Sequence, residues 1–169
     1  MLYKINSKII ISTSRKPSQI TRRFAQFLKH YFNATYINRG KTSFTKILNQ
    51  AKQHENSVLL IITETKGNPS NIDVYNLEDE DNPLISIHLS VSLPQHNNPI
   101  NTNGDEITFI NKVKDYNELF DVFAPVESNE KIKSNCILIE DKEEICARFF
   151  DKKGNDTKYK VYLKGFNIY

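Results

Sequence analysis

Apolar and polar positions alternate in two distinct rhythms along this chain, and the rhythms mark its elements. Residues 8–13 are an apolar run with strand character, followed by "SRKPS" and then by Ile20, Phe24, Phe27, Leu28 and Tyr31, which recur at helical spacing. Ser18 is the expected N-cap of a helix running to about Phe32. A short strand is predicted over 35–38, then the turn "RGKTS". A second amphipathic helix follows from about Ser43 to His54, with Phe44, Ile47, Leu48 and Ala51 inward. "SVLLIIT" at 57–63 is a continuous apolar run, the mark of a strand covered on both faces. This order of strand, helix, strand, helix, strand with short connections predicts parallel pairing through right-handed crossovers.

Beyond "KGNPS" the rhythm changes. Residues 71–77 and "LISIHLSVS" at 84–92 read as strands, and in the second Ile85, Ile87, Leu89 and Val91 alternate with Ser86, His88, Ser90 and Ser92, giving one wet face. The acids "EDED" at 78–81 read as a solvated turn. A polar stretch with two prolines and a glycine separates an N-terminal half, 1–93, from a C-terminal half, 106–169, with 94–105 as the linker. The second half opens with the strand "EITFI". A helix follows that turns Val113, Tyr116, Leu119, Phe120 and Phe123 inward, and then three strands near 135–140, 144–150 and 158–168, joined by hairpins. No short sequence repeat relates the halves.

Charge changes this picture most. Residues 1–56 hold 11 Lys or Arg against the single acid Glu55, a net of +10, while the remainder holds 12 against 19. Such a split points to a polyanion facing the first third, with nucleic acid a better match than a membrane surface. The length of 169 residues suffices for a core without disulfides or metal. No apolar run is long enough for a membrane helix and no signal peptide is recognisable, so a cytoplasmic protein is expected. Cys136 and Cys146 read as reduced core thiols, the four histidines show no ligand spacing, and neither metal nor cofactor is expected.

In a parallel arrangement the strands 8–13 and 35–38 end at the same edge of the sheet, each handing over to a helix. Ser14, Arg15 and Lys16 surround the first helix start; Arg39, Gly40 and Lys41 surround the second. Free N–H groups and helix dipoles there favour an anion, Arg can grip a phosphate bidentately, and Gly40 lets the backbone come close. Arg22 and Arg23 lie beside them, outside the apolar stripe. Neither Arg15 nor Arg39 reads as buried, so Arg15→Glu with Arg39→Glu is expected to weaken nucleic-acid binding while leaving the thermal midpoint nearly unchanged. "GKTS" ends like a nucleotide-binding P-loop, but Thr35, Tyr36 and Ile37 occupy what should be a glycine-rich cradle, and no other enzyme signature is present. His88 on the wet strand face reads as a solvated side chain.

"ISTSRKPSQITRRFAQFLKHYFNATYINRGKTSFTKILNQA" together with "SVLLIIT" resembles the Brix domain, in particular its short archaeal members; the likeness is carried by "TSRKPS" at 13–18 and "NRG" at 38–40. It implies an α/β fold of two similar halves, akin to class II aminoacyl-tRNA synthetase anticodon-binding domains. It also implies a non-catalytic ribosome-biogenesis factor that binds rRNA or its precursor, with Ser14, Arg15, Lys16, Arg39 and Gly40 as carried-over contacts. Charge adds Arg22, Arg23 and Lys41. The acidic second half, where "CARFFDKKG" replaces the Gly-Pro-Arg-Phe segment of the family, suggests protein contacts instead. A different structured RNA such as tRNA is the rival ligand, and an enzyme acting on a phosphate ester the remoter one.

Overall fold

The computed structural model describes residues 8–54, 57–77, 82–96, 100, 107–123, 126–127 and 135–169. The first half runs β1 (Lys8–Thr13), α1 (Gln19–Phe32), β2 (Thr35–Tyr36), α2 (Phe44–Ala51), β3 (Ser57–Thr65), β4 (Asn68–Asn76) and β5 (Ile85–Ser92). The second runs β6 (Thr108–Asn111), a 3-10 turn over Lys114–Tyr116, α3 (Asn117–Phe123), β7 (Val126–Glu127), β8 (Cys136–Asp141), β9 (Ile145–Phe150) and β10 (Asp156–Ile168). All these strands join one sheet in the order β2-β1-β3-β4-β5-β10-β9-β8-β6-β7.

That order contains a repeat of topology. In the first half β1 lies parallel between β2 and β3, and β3, β4 and β5 follow antiparallel. In the second, β6 lies parallel between β7 and β8, and β8, β9 and β10 follow antiparallel. The strand-leaving hydrogen bond is also repeated: Ser14 N–H donates to the Ile62 carbonyl and Lys112 N–H to that of Ile139, both at 2.9 Å. The two halves meet where β5 and β10 pair antiparallel from Ile85↔Ile168 to Ser92↔Lys160.

The apolar runs of β1 and β3 are explained by their two covered faces. Ile11, Val58, Leu60 and Ile62 join the main core under α1, whereas Ile10, Leu59 and Ile61 pack against Ile47, Leu48 and Ala51 of α2 on the opposite face. Helix α1 also ties the halves together. Phe27 stacks on Tyr159 of β10 with centroids 3.8 Å apart and meets Phe149 of β9 edge-on at 5.1 Å. The fully buried Tyr31 donates its hydroxyl hydrogen towards the carbonyls of Cys136 at 3.0 Å and Phe150 at 2.8 Å. Burial pushes that phenol well above its ordinary range, so it stays a neutral donor.

Three local expectations need correction. Ile20, assigned to the inward stripe of α1, is 40% exposed, and Thr21 takes the inward position instead, its hydroxyl satisfied by the Glu64 carboxylate. Strand β2 stops at Tyr36 and does not reach residue 38, because the Ile37 carbonyl is taken by the Ser12 hydroxyl at 2.7 Å and leaves the ladder. "KGNPS" is mostly strand. Lys66 and Gly67, at φ of 52° and 80°, form a two-residue hairpin turn, and β4 starts at Asn68. Pro69 is tolerated because pairing with β5 begins only at Asn71. Cys136 is buried and Cys146 half-buried, and neither is in a disulfide. The acids 78–81, most of the linker and the side chain of Phe123 lie outside the described residues.

Candidate nucleic-acid interface

Parallel pairing of β1 with β2 brings the two basic turns together. Lys16 N–H donates to the Gly40 carbonyl at 3.2 Å, and both residues adopt positive φ, 48° and 50°. The second turn carries the clamp. Arg39 is 7% exposed; its Nε donates to the Thr42 carbonyl at 2.6 Å and its Nη1 to the Thr13 carbonyl, at the end of β1, at 2.9 Å. The expectation that Arg39 is not buried is therefore wrong. The planar fork of a guanidinium satisfies two carbonyls at once where a strand and a turn leave them without ladder partners. Desolvation, and then the nearby Arg15 charge, lower the pKa of Arg39.

The start of α1 departs from expectation as well. Its N–H groups were expected to be open to an external anion, but Glu64, arriving from β3 just after a bulge, already lies there. Its Oε2 accepts from Ser18 N–H at 3.1 Å and from the Thr21 hydroxyl, while the Ser18 hydroxyl caps Thr21 N–H at 3.1 Å and bonds the Gly67 carbonyl at 2.7 Å. The Thr21 hydroxyl above all, and then Ser18, hold the Glu64 carboxyl below its usual range against a smaller desolvation effect. An acid at the end of a buried strand was the one signal in the sequence for this contact. At α2 the Ser43 hydroxyl accepts from Lys46 N–H at 3.3 Å and the first turn holds no acid, so this helix start stays electropositive.

Around the joined turns Arg15, Lys16, Arg22, Gly40 and Lys41 are exposed, and no carboxylate among the described residues pairs with any of the four cations. Ser14 is half-buried, its N–H used by Ile62. Arg23 turns away: half-buried, it donates from Nη2 to the Pro94 carbonyl at 2.7 Å, tying α1 to the chain beyond β5. Tyr36 sits beside the cluster. Burial raises its phenol, opposed by a hydrogen bond with the Thr13 side chain and by the Arg22 charge. Thr35 and Tyr36 pair with Ile10 and Ile11, which leaves no phosphate cradle upstream of "GKTS". The second half differs electrostatically. Arg148 pairs with Asp156 at 3.0 Å and Glu140 at 3.5 Å, and Lys164 with Glu144 at 2.9 Å. His88 is exposed, with Asn167 Nδ2 at 3.3 Å from its Nε2.

No protein-family model matches the chain. Over 85 residues it is 36% identical to a probable Brix domain-containing ribosomal biogenesis protein of Methanococcus maripaludis, covering 50% of this chain and 48% of that protein. Over 66 residues it is 42% identical to the protein so named in Archaeoglobus fulgidus, covering 39% of this chain and 40% of the relative. The chain thus spans about half or less of the length of these curated relatives. The fold matches more widely. Mil, an archaeal Imp4-like protein, superposes with a TM-score of 0.80 at 22% identity, covering 95% of this chain and 99% of that one. A probable ribosomal biogenesis protein from Aeropyrum pernix K1 superposes with a TM-score of 0.69 at 18% identity, covering 93% and 95%. In sequence, over part of its length, this chain is similar to archaeal proteins named as probable Brix domain-containing ribosomal biogenesis proteins, and over nearly all of its length it has the fold of an archaeal Imp4-like protein.

Proposed function

We propose that this chain is a non-catalytic, cytoplasmic ribosome-biogenesis factor that grips rRNA or its precursor by the phosphate backbone at the edge where β1 and β2 end. One observation carries the reading: two basic turns are locked side by side by the Lys16–Gly40 bond and the Arg39 clamp, with Arg15, Lys16, Arg22 and Lys41 exposed around them and without a carboxylate partner among the described residues. Phosphate contacts of this kind position a protein on RNA without reading its sequence. Arg39 and Arg23 act in this scheme as structural supports. The ion-paired cations of the second half suit a protein-facing surface, and the doubled topology suits a kinship with anticodon-binding domains.

The test is binding to a small-subunit rRNA fragment across a salt series, with tRNA as competitor. Four phosphate contacts correspond to a slope of about −3 in log K against log[salt]. Arg15→Glu with Lys41→Glu is expected to weaken binding at least about tenfold and to flatten that slope. Binding that survives both salt and the double substitution would remove this edge as the recognition surface; displacement by tRNA at equal concentration would favour the rival ligand.

A further inference from the structure

Beneath α1 the core is not filled to its centre. A cavity of about 120 Å³ lies there, walled by Phe24 and Leu28 of α1, by Phe120 of α3 and by side chains from β1, β3, β4, β5, β6, β8, β9 and β10. Both halves of the chain therefore contribute to it. Every described wall side chain is aliphatic or aromatic, and the strand backbones behind them are taken up by ladder bonds. Close-packed interiors hold few voids larger than a water molecule; this one persists because the rings that could fill it are engaged along its rim. Phe27 lies flat against Tyr159 and edge-on to Phe149, and Phe120 leans on Phe109 with centroids 5.1 Å apart. Ala147 of β9 contributes only a methyl to the wall. Ile9 and Phe32, at the start of β1 and the end of α1, are half-buried, so the wall comes close to solvent at that end.

Water is a poor occupant, since it needs about two to four polar partners and the described wall side chains offer none. A void of about 150 Å³ lined by Leu, Ile and Phe stays dry and takes benzene or xenon. We propose that the cavity is a binding site for one small apolar molecule without hydrogen-bonding groups, of the size of a single aromatic ring, held jointly by the two halves. An occupant restores the dispersion contacts that the wall side chains forfeit across a gap. The ligand class follows from the wall. A hydroxyl or amine on the ring would be buried without a partner, which is enough to reject it. The site is separate from the basic edge, because none of Arg15, Lys16, Arg22 and Lys41 lines it.

Benzene is the probe and phenol its control. Thermal unfolding of the full chain is followed with benzene at about ten times a dissociation constant of about 1 mM, which raises Tm by about 3–6 °C. Phenol at the same concentration should give little rise, because its hydroxyl finds no partner. Methyl NMR spectra locate the ligand. Ring-current shifts are expected at Leu28, Leu89, Val161 and Leu163, which line the cavity, and not at Leu48 or Leu59 in the core under α2. Ala147→Leu, which puts an isobutyl group in place of a methyl, should keep or raise the starting midpoint and lose the benzene rise. Val74→Ile adds a single methylene at another wall position and should reduce the rise, and it decides the matter if Ala147→Leu does not fold. No rise with benzene, an equal rise with phenol, or shifts that appear under α2 overturn the site, as does a benzene rise that both variants leave unchanged.

Discussion

Replacing Arg39 by Glu tests the clamp, and its cost follows from the contacts. The substitution removes two hydrogen bonds from a charged donor, to the Thr13 and Thr42 carbonyls at 2.9 and 2.6 Å, each worth about 1.5–3 kcal/mol. It also places a carboxylate among those carbonyls at a site only 7% exposed, and an uncompensated buried charge adds a penalty that breaking a buried pair puts at about 3–5 kcal/mol. Attraction to Arg15 returns part of this, and the side chain can swing outward, so a net loss of about 4 kcal/mol is expected. Against a total of about 5–15 kcal/mol this is large. For a domain of this length it lowers Tm by about 8–16 °C. Urea titration and thermal melts followed by circular dichroism read it directly. Arg15→Glu, one residue into the neighbouring turn but exposed, is the paired control: RNA affinity falls while Tm moves by less than about 2 °C. If Arg39→Glu melts within about 2 °C of the wild type, the guanidinium does not organise the two turns and the assignment of Arg39 as support is wrong.

Two further outcomes follow from the fold. Tyr31→Phe leaves the carbonyls of Cys136 and Phe150 without their donor and should cost about 1–3 kcal/mol, seen as a lower urea midpoint at unchanged m; a loss under about 0.5 kcal/mol would mean that α1 is held to the second half by its rings alone. Glu64 has a folded-state pKa held down by Thr21 and Ser18. Its contribution is therefore fully present above the unfolded value of about 4.3 and is lost as pH falls from there through the depressed folded-state pKa. Glu64→Gln should flatten this acid limb between about pH 5 and 3 and lower stability at neutral pH, and an unchanged limb would discharge Glu64 from the helix start.

The amino-acid pattern alone determined most of the elements, because the signals for them are local. Ser18 capping Thr21, the two-faced runs of β1 and β3, the alternation of β5 and β10 and the stripe of α1 from Phe24 to Tyr31 are each decided within a few residues of chain. Charge density likewise located the basic edge, since an excess of ten cations over one short stretch has to be solvated or met by an anion. Tertiary structure decided which cations remain available, because availability depends on partners far along the chain. Arg39 reads from sequence like Arg15, yet the Thr13 carbonyl, 26 residues earlier, draws it inward and, with the Thr42 carbonyl, takes up two of its nitrogens. Arg23 is claimed by Pro94, 71 residues later. The helix start at Ser18 looked open to an external anion until Glu64 arrived from 46 residues away. Two similar halves were implied by the family resemblance, but the residues themselves do not show them, for the same reason. Strand order and the direction of pairing are set by long-range hydrogen bonding and burial, which many different side chains satisfy equally, so the two halves share an architecture that no repeat in their residues announces.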